Sequence, residues 1–299
     1  MLLQNSALTM KTRAHFGLTR NPFVDDMQSS DDVYQSADVR EARAFLMDCA
    51  MSHGFLAVVG ESGAGKSTLA EDLEERIRAE KRDVLIIRPY VLAMEASDTK
   101  GKTLRSTHIA EAVVHALDPD AKVRSSPQAR FTQLHELLRH SHRAGRRHLL
   151  LIEEAHCLPL ATMKHLKRFL ELKDGMRRLV GVALIGQPEL RVRLANGAAD
   201  VREVTQRCQV VPIGPMSGEV EGYLRHKFSR LGVALDKVVA PDAVGAIVAR
   251  LKHMPRGGKP ADAIDICYPL TINNLMCRAM NAAADEGWPI VDAQVIAGC

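Results

Sequence analysis

The sequence predicts an α/β protein: a five-stranded parallel sheet covered by helices, followed by a small helical domain. Three observations carry this expectation. Five short apolar runs alternate with helix-like segments, which is the pattern of a sheet buried on both faces. A glycine-rich loop joins the first of these runs to an amphipathic helix. After Pro215 helical segments continue, but no strand run of comparable strength follows.

Taken in chain order, residues 1–51 precede the first run and hold Phe16-Gly17-Leu18, Asn21-Pro22-Phe23 and Tyr34 in a polar stretch. They predict a collar packed onto the domain, with roughly the first ten residues frayed. The strand runs are Phe55–Val59, Val84–Ile87, Leu149–Ile152, Leu179–Ile185 and Cys208–Ile213. Leu69, Leu73 and Ile77 recur every four residues among Glu71, Asp72, Glu74 and Glu75, so an amphipathic helix follows the first strand. Residues 52–215 form the expected core domain and 216–299 the helical one, with helices over Ser217–Leu231, Pro241–Lys252 and Leu275–Asp285. Ser217, followed by Glu219 and Glu221, is the expected cap of the first of these.

Composition narrows the function classes. Hydrophobic residues at 46% and charged residues at 25% exclude a chain dominated by disorder. The net charge of +4 permits a polyanionic partner without requiring one. No apolar run approaches the roughly 18 to 20 residues of a membrane helix, and Met1–Arg20 lacks the apolar centre of a signal peptide. A cytoplasmic protein without a membrane partner is expected. The six cysteines are scattered, without C-x-x-C pairs or zinc spacing, and are expected to act as small buried hydrophobes.

Gly60-Glu61-Ser62-Gly63-Ala64-Gly65-Lys66-Ser67 fits G-x-x-x-x-G-K-[ST] between a strand and a helix. Glycines let the backbone curl so that successive N–H groups face phosphates, and the helix that starts near Lys66 adds its positive end. The segment through Thr68 is therefore an expected ATP cradle, with Lys66 on the β and γ phosphates and Ser67 on Mg²⁺. Hydrolysis also needs an acid near the metal and a group that orients water, both at the carboxyl end of a buried strand. The run from His148 to His156 supplies Glu153 for the metal and Glu154 for the water. His156 is read as either a polar relay or a helix cap.

This acidic run resembles the Walker B sequence of AAA+ proteins, with Glu153 in the usual Asp position. On that resemblance Gln187, at the exit of the fourth strand, is sensor 1 and touches the γ-phosphate or the attacking water. Arg207, just before the fifth strand, is the arginine finger offered to a neighbouring subunit, with Arg202 the second choice. Phe16-Gly17-Leu18, Asn21-Pro22-Phe23, Gly186-Gln187-Pro188-Glu189-Leu190 and Ile272-Asn273-Asn274-Leu275 together are similar to the AAA+ subgroup of ExeA-type ATPases and transposition helpers such as phage Mu B and TnsC. One departure stands out. ExeA-like chains carry a sensor 2 arginine just before Ile-Asn-Asn, where this chain reads Tyr268-Pro269-Leu270-Thr271; Arg278 is a candidate substitute.

The expected function is that of the transposition helpers: an ATPase, slow and stimulated by DNA, that forms a ring or helical filament on duplex DNA and serves a transposase. The alternative is an ExeA-like secretion or envelope-associated ATPase without DNA. A small-molecule kinase is disfavoured by the acid pair, Gln187 and the helical domain. Backbone binding to duplex needs several cations and no base-reading module. Lys100, Lys102 and Arg105 form one candidate patch, in the region of the helpers' DNA-facing loops; Lys164, Lys167 and Arg168 form another, a stripe at i, i+3, i+4. The run Arg139–Arg147 reads instead as a helix end before Gly145.

Overall fold

The computed structural model describes residues 7–23, 27, 29–89, 104–195, 206–254 and 263–299. The chain divides into two compact units. One holds Ala37–Glu61 and Lys66–Ile213; the other holds Met1–Ser36, Ser62–Gly65 and Gly214–Cys299.

The first unit is built on five parallel strands: β1 (Phe55–Gly60), β2 (Val84–Ile87), β3 (Arg147–Ile152), β6 (Gly181–Gly186) and β7 (Gln209–Ile213). Their order across the sheet is β2-β3-β6-β1-β7. The five apolar runs thus form the expected strands, two starting where expected and the other three one or two residues away. β1 is buried along its whole length because it pairs on both edges, Val58 lying opposite Ile185 on one side and Val211 on the other. Insertion of β6 between β1 and β3 brings the ends of three strands together that lie far apart in the chain. A short antiparallel ribbon, β4 (Lys173–Asp174) and β5 (Arg177–Arg178), precedes β6.

Helices α2 (Ala37–Ser52), α3 (Lys66–Ala79), α4 (Ser106–Leu117), α5 (Pro127–Arg143), α6 (Leu160–Leu170) and α7 (Pro188–Ala195) flank these strands in sequence; α1 (Met10–His15) belongs to the other unit. α3 buries Leu69, Leu73 and Ile77, the face its spacing marked out. Asp72, on the same helix, is buried too, and Arg43 of α2 meets it with two hydrogen bonds of 2.8 and 3.0 Å. α5 starts on Ser126, whose hydroxyl accepts from the Ala129 N–H, and the chain leaves it through Gly145 at φ 99°. That exit matches the helix-end reading of Arg139–Arg147.

The second unit has its own core. α8 (Val220–Ser229), α9 (Pro241–Leu251), α10 (Pro269–Glu286) and α11 (Ala293–Gly298) pack with the N-terminal Phe16, Leu18 and Phe23. A two-residue ribbon, β8 (Lys252–His253) with β9 (Ile264–Asp265), adjoins α9. Thr12 hydrogen-bonds Asn281 of α10 at 2.7 Å, and the Tyr34 hydroxyl meets Glu219 at 3.2 Å. Within the stretch 1–51, the described residues up to Ser36 group with these helices and α2 groups with the sheet. Ser217 is not a cap: α8 starts at Val220 behind Glu219, and the Ser217 hydroxyl is drawn away to the Asp265 carboxylate.

Among the described residues no helix is long and apolar enough to cross a membrane. All six cysteines are free, and burial pushes the Cys49 thiol up to about 12, so it stays a neutral hydrophobe.

Candidate functional site

The loop after β1 takes the curled form its glycines permit. Gly63 lies at φ 78° and Gly65 at φ 88°, in the left-handed region that other residues avoid. Glu61, Ser62 and Ser67 are exposed, Ala64 is buried, and Gly63, Gly65 and Thr68 are in between. α3 opens directly at Lys66, so the unpaired N–H groups of its first turn continue those of the loop. Lys66 is 8% exposed, and its ammonium donates to the Glu61 carbonyl at 2.8 Å. Burial lowers its pKa, against the opposing pull of Glu154, Glu61 and Glu189. A cation drawn from water and facing carboxylates is placed to gain from a phosphate.

Glu153 and Glu154 follow the last residue of β3 but differ in setting. Glu153 has Arg88 Nη1 at 3.5 Å, and Arg88 Nε in turn lies 2.8 Å from Glu74 of α3. Arg88 leaves the carboxyl end of β2, the strand beside β3. Glu154 adopts φ 48° and ψ 33°, a left-handed conformation unusual for a side-chain-bearing residue, and its side chain is 52% exposed. The turn is closed by the Cys157 N–H on the Glu154 carbonyl at 2.9 Å.

His156 sits inside that 3₁₀ turn (Ala155–Cys157) and makes no cap. Its Nδ1 lies 3.5 Å from Glu154 Oε2 and accepts from the Gln187 backbone N–H at 3.4 Å. Gly186, the last residue of β6, lets the turn lie close: a Cβ there would come 3.1 Å from the His156 backbone nitrogen. The sheet order therefore gathers Lys66, Glu153, Glu154 and Gln187 at the carboxyl ends of β1, β3 and β6.

An ATP cradle fits this arrangement through the two positive-φ glycines, the helix start and the buried ammonium. Ser67 and Glu153 are the residues that would hold magnesium, Glu153 sharing its carboxylate with Arg88; bound with ATP, the ion would supply charge neutralisation on the phosphate oxygens. Arg207 lies just before β7 with Nη1 4.0 Å from Glu171, which also has Lys167 at 3.6 Å. On α6 Arg168 is exposed while Lys164 and Lys167 are part-buried beside the face of Met163, Leu166 and Leu170, and Arg105 is exposed ahead of α4. Lys100, Lys102 and Arg202 lie outside the described residues.

In the second unit, the stretch without the sensor 2 arginine meets the loop directly. The Leu270 N–H donates to the Gly63 carbonyl at 3.3 Å, and a Cβ at position 63 would come within 2.4 Å of the Leu270 Cβ. Arg278 lies two helical turns beyond Leu270, about 12 Å along the axis, beside Cys299. Sequence reasoning missed Arg88 and Leu270. The signal that could have found Arg88 is a charged residue just beyond the run Val84–Ile87, the position relative to a strand that Glu153 occupies after Leu149–Ile152.

Residues 49–194 match a protein-family model described as an AAA domain. General secretion pathway protein A of Aeromonas hydrophila is 26% identical over 276 residues, 91% of this chain and 45% of that protein. The chain thus spans about half the length of this curated relative. Among solved structures, Cdc6p from Pyrobaculum aerophilum superposes with a TM-score of 0.57 at 12% identity, over 96% of this chain and 69% of that one. The ORC2 protein of Aeropyrum pernix, in complexes with ADPNP and ADP, gives 0.53 at 17% identity, over 93% and 69%. A RuvB mutant from Thermotoga maritima gives 0.51 at 14%, over 91% and 71%. At such identities these likenesses concern the fold, which is that of the AAA+ P-loop NTPases.

Proposed function

We propose that this chain is an ATP-hydrolysing AAA+ protein that serves a secretion- or envelope-linked process. The AAA-domain match and the fold support an AAA+ ATPase. The observation that carries hydrolysis is the convergence of Lys66, Glu154 and Gln187 on neighbouring strand ends. Lys66 binds the β and γ phosphates. Glu154 orients a water and takes its proton as that water attacks the γ-phosphorus and the bond to the β,γ-bridging oxygen breaks, releasing ADP, and Gln187 steadies the γ-phosphate. Arg207 completes the site of a neighbouring subunit in a homo-oligomer, which links turnover to assembly.

The secretion-linked reading is supported by the match to General secretion pathway protein A across 91% of the chain. It takes precedence over the transposition-helper reading, whose support is the sequence resemblance together with the cations Arg105, Lys164, Lys167 and Arg168. Two measurements test this order. Phosphate release from Mg-ATP is expected of the purified chain, and its absence overturns the ATPase. Fluorescence anisotropy with random-sequence duplex, with and without ATP at several salt concentrations, is expected to stay flat. An ATP-dependent rise that weakens steeply with salt replaces the secretion reading with filament assembly on DNA for a transposase.

A further inference from the structure

Glu154 carries the water-orienting role in the mechanism above, and its own orientation needs a cause. Its backbone has left the β3 ladder at φ 48°, and half of its side chain is in solvent, so neither pairing nor packing fixes the carboxylate. Lys66 attracts it electrostatically, and His156 lies against it at 3.5 Å. The His156 ring is itself firmly placed. Its side chain is 15% exposed, its turn is closed by Cys157, and Gly186 lets the end of β6 pack against its backbone.

The two contacts of Nδ1 conflict. Toward Gln187 it must accept a hydrogen from the backbone N–H, which needs a lone pair. Toward Glu154 it must donate, which needs a proton, and one ring nitrogen holds one or the other. An uncharged imidazole meets either demand by changing tautomer: Nε2 gives its proton to solvent water as solvent water gives one to Nδ1, with no net change in charge.

We propose that His156 is a positioning residue that passes its Nδ1 hydrogen bond between the Gln187 N–H and the Glu154 carboxylate. It thereby ties the water-orienting acid to the strand end that bears Gln187. The inference rests on the reading of Glu154 given above. With Nδ1 turned to Gln187, Glu154 is loose; with Nδ1–H turned to Glu154, the carboxylate is held and the end of β6 is released.

The test uses the full chain and compares wild type, His156→Ala, His156→Asn and Glu154→Gln. Steady-state phosphate release gives kcat, and equilibrium titration with a fluorescent ATP analogue gives Kd. Asparagine puts an amide near the Nδ1 position that either accepts or donates. His156→Ala is expected to lower kcat by about tenfold to 10²-fold while Kd stays within about twofold, and His156→Asn to restore most of the rate. Wild-type kcat in His156→Ala alongside an impaired Glu154→Gln overturns the proposal. So does a His156→Asn variant as slow as the alanine, or a Kd that weakens in step with kcat, since either marks a purely structural ring. If Glu154→Gln itself turns over like wild type, the reading of Glu154 falls first, whatever His156 does.

Discussion

The same parallel strands carry polar residues at both ends and treat them differently. At the carboxyl ends, Glu153 and Glu154 remain 31% and 52% exposed, and Lys66 is buried against a loop carbonyl with its charge disfavoured by burial. At the amino ends two histidines are sealed, although Arg146 and Asp83 pair at the surface there at 2.8 Å. His148 of β3 is fully buried, its Nδ1 donating to the Leu179 carbonyl at 2.9 Å and its Nε2 accepting from the Ser141 hydroxyl at 2.8 Å. Gly181 opens β6 where a Cβ would lie 2.5 Å from the Cys49 carbonyl oxygen. His53 is buried with its ring 5.8 Å from that of His142. The contrast is between two acids left open to solvent at one end and two histidines withdrawn from it at the other, His148 bonded through both ring nitrogens and His53 with its Nε2 unpartnered.

If that division holds, variants at the two ends separate function from stability. The largest effect is expected from Lys66→Ala. ATP affinity should fall by about 10²-fold or more, the consequence of removing a buried charge partner, while the thermal midpoint holds or rises because a desolvated ammonium is gone. A collapse of the fold in calorimetry would break the contrast.

His148→Ala should do the reverse. It leaves a buried carbonyl unpaired and a void behind, a loss of about 3 kcal/mol in denaturant unfolding, with nucleotide Kd unchanged. Gly181→Ala forces β6 away from Cys49 and should lose about 2 kcal/mol, again without a change in Kd.

The smallest effect is a pH dependence. Burial, then the nearby His142 and Arg147, lowers the His53 pKa from 6.5 to about 4, so the unfolded chain binds the proton more readily between these values. Stability should be full above pH 6.5 and decline as pH falls toward 4. His53→Leu should flatten that slope in unfolding curves recorded across this range; an unchanged slope removes His53 from the sealed end.

Much of this was legible because it is local. The spacing of glycines and lysine from Gly60 to Ser67 specifies its own backbone, and five apolar runs announce their own burial. Glu154 was found because hydrolysis needs an acid at the carboxyl end of a buried strand, and Gln187 because its strand exit resembles sensor 1 of AAA+ proteins. Strand order is not local, and what depends on it was hidden. Arg88 becomes the partner of Glu153 only because β2 lies beside β3, and His148 meets Leu179 across 31 residues.

Ser217 was misread for the same reason, since its partner Asp265 lies 48 residues away. The helix Ala37–Ser52 is a different case. Val39, Ala42, Leu46, Cys49 and Ala50 recur at helical spacing and bury one face, a signal in plain view that reading the whole N-terminal stretch as a collar obscured.

The contact between Gly63 and Leu270 bears on how this sequence can drift. The phosphate-loop pattern leaves position 63 open to any residue, but here the space beyond its Cα is occupied by the Leu270 side chain, and its φ of 78° favours glycine again. The two positions are therefore exchangeable only as a pair. A larger residue at 63 demands a smaller one at 270 and a different loop conformation, so relatives that restore a long polar side chain near 270 should show compensating change in a stretch that the motif alone treats as free.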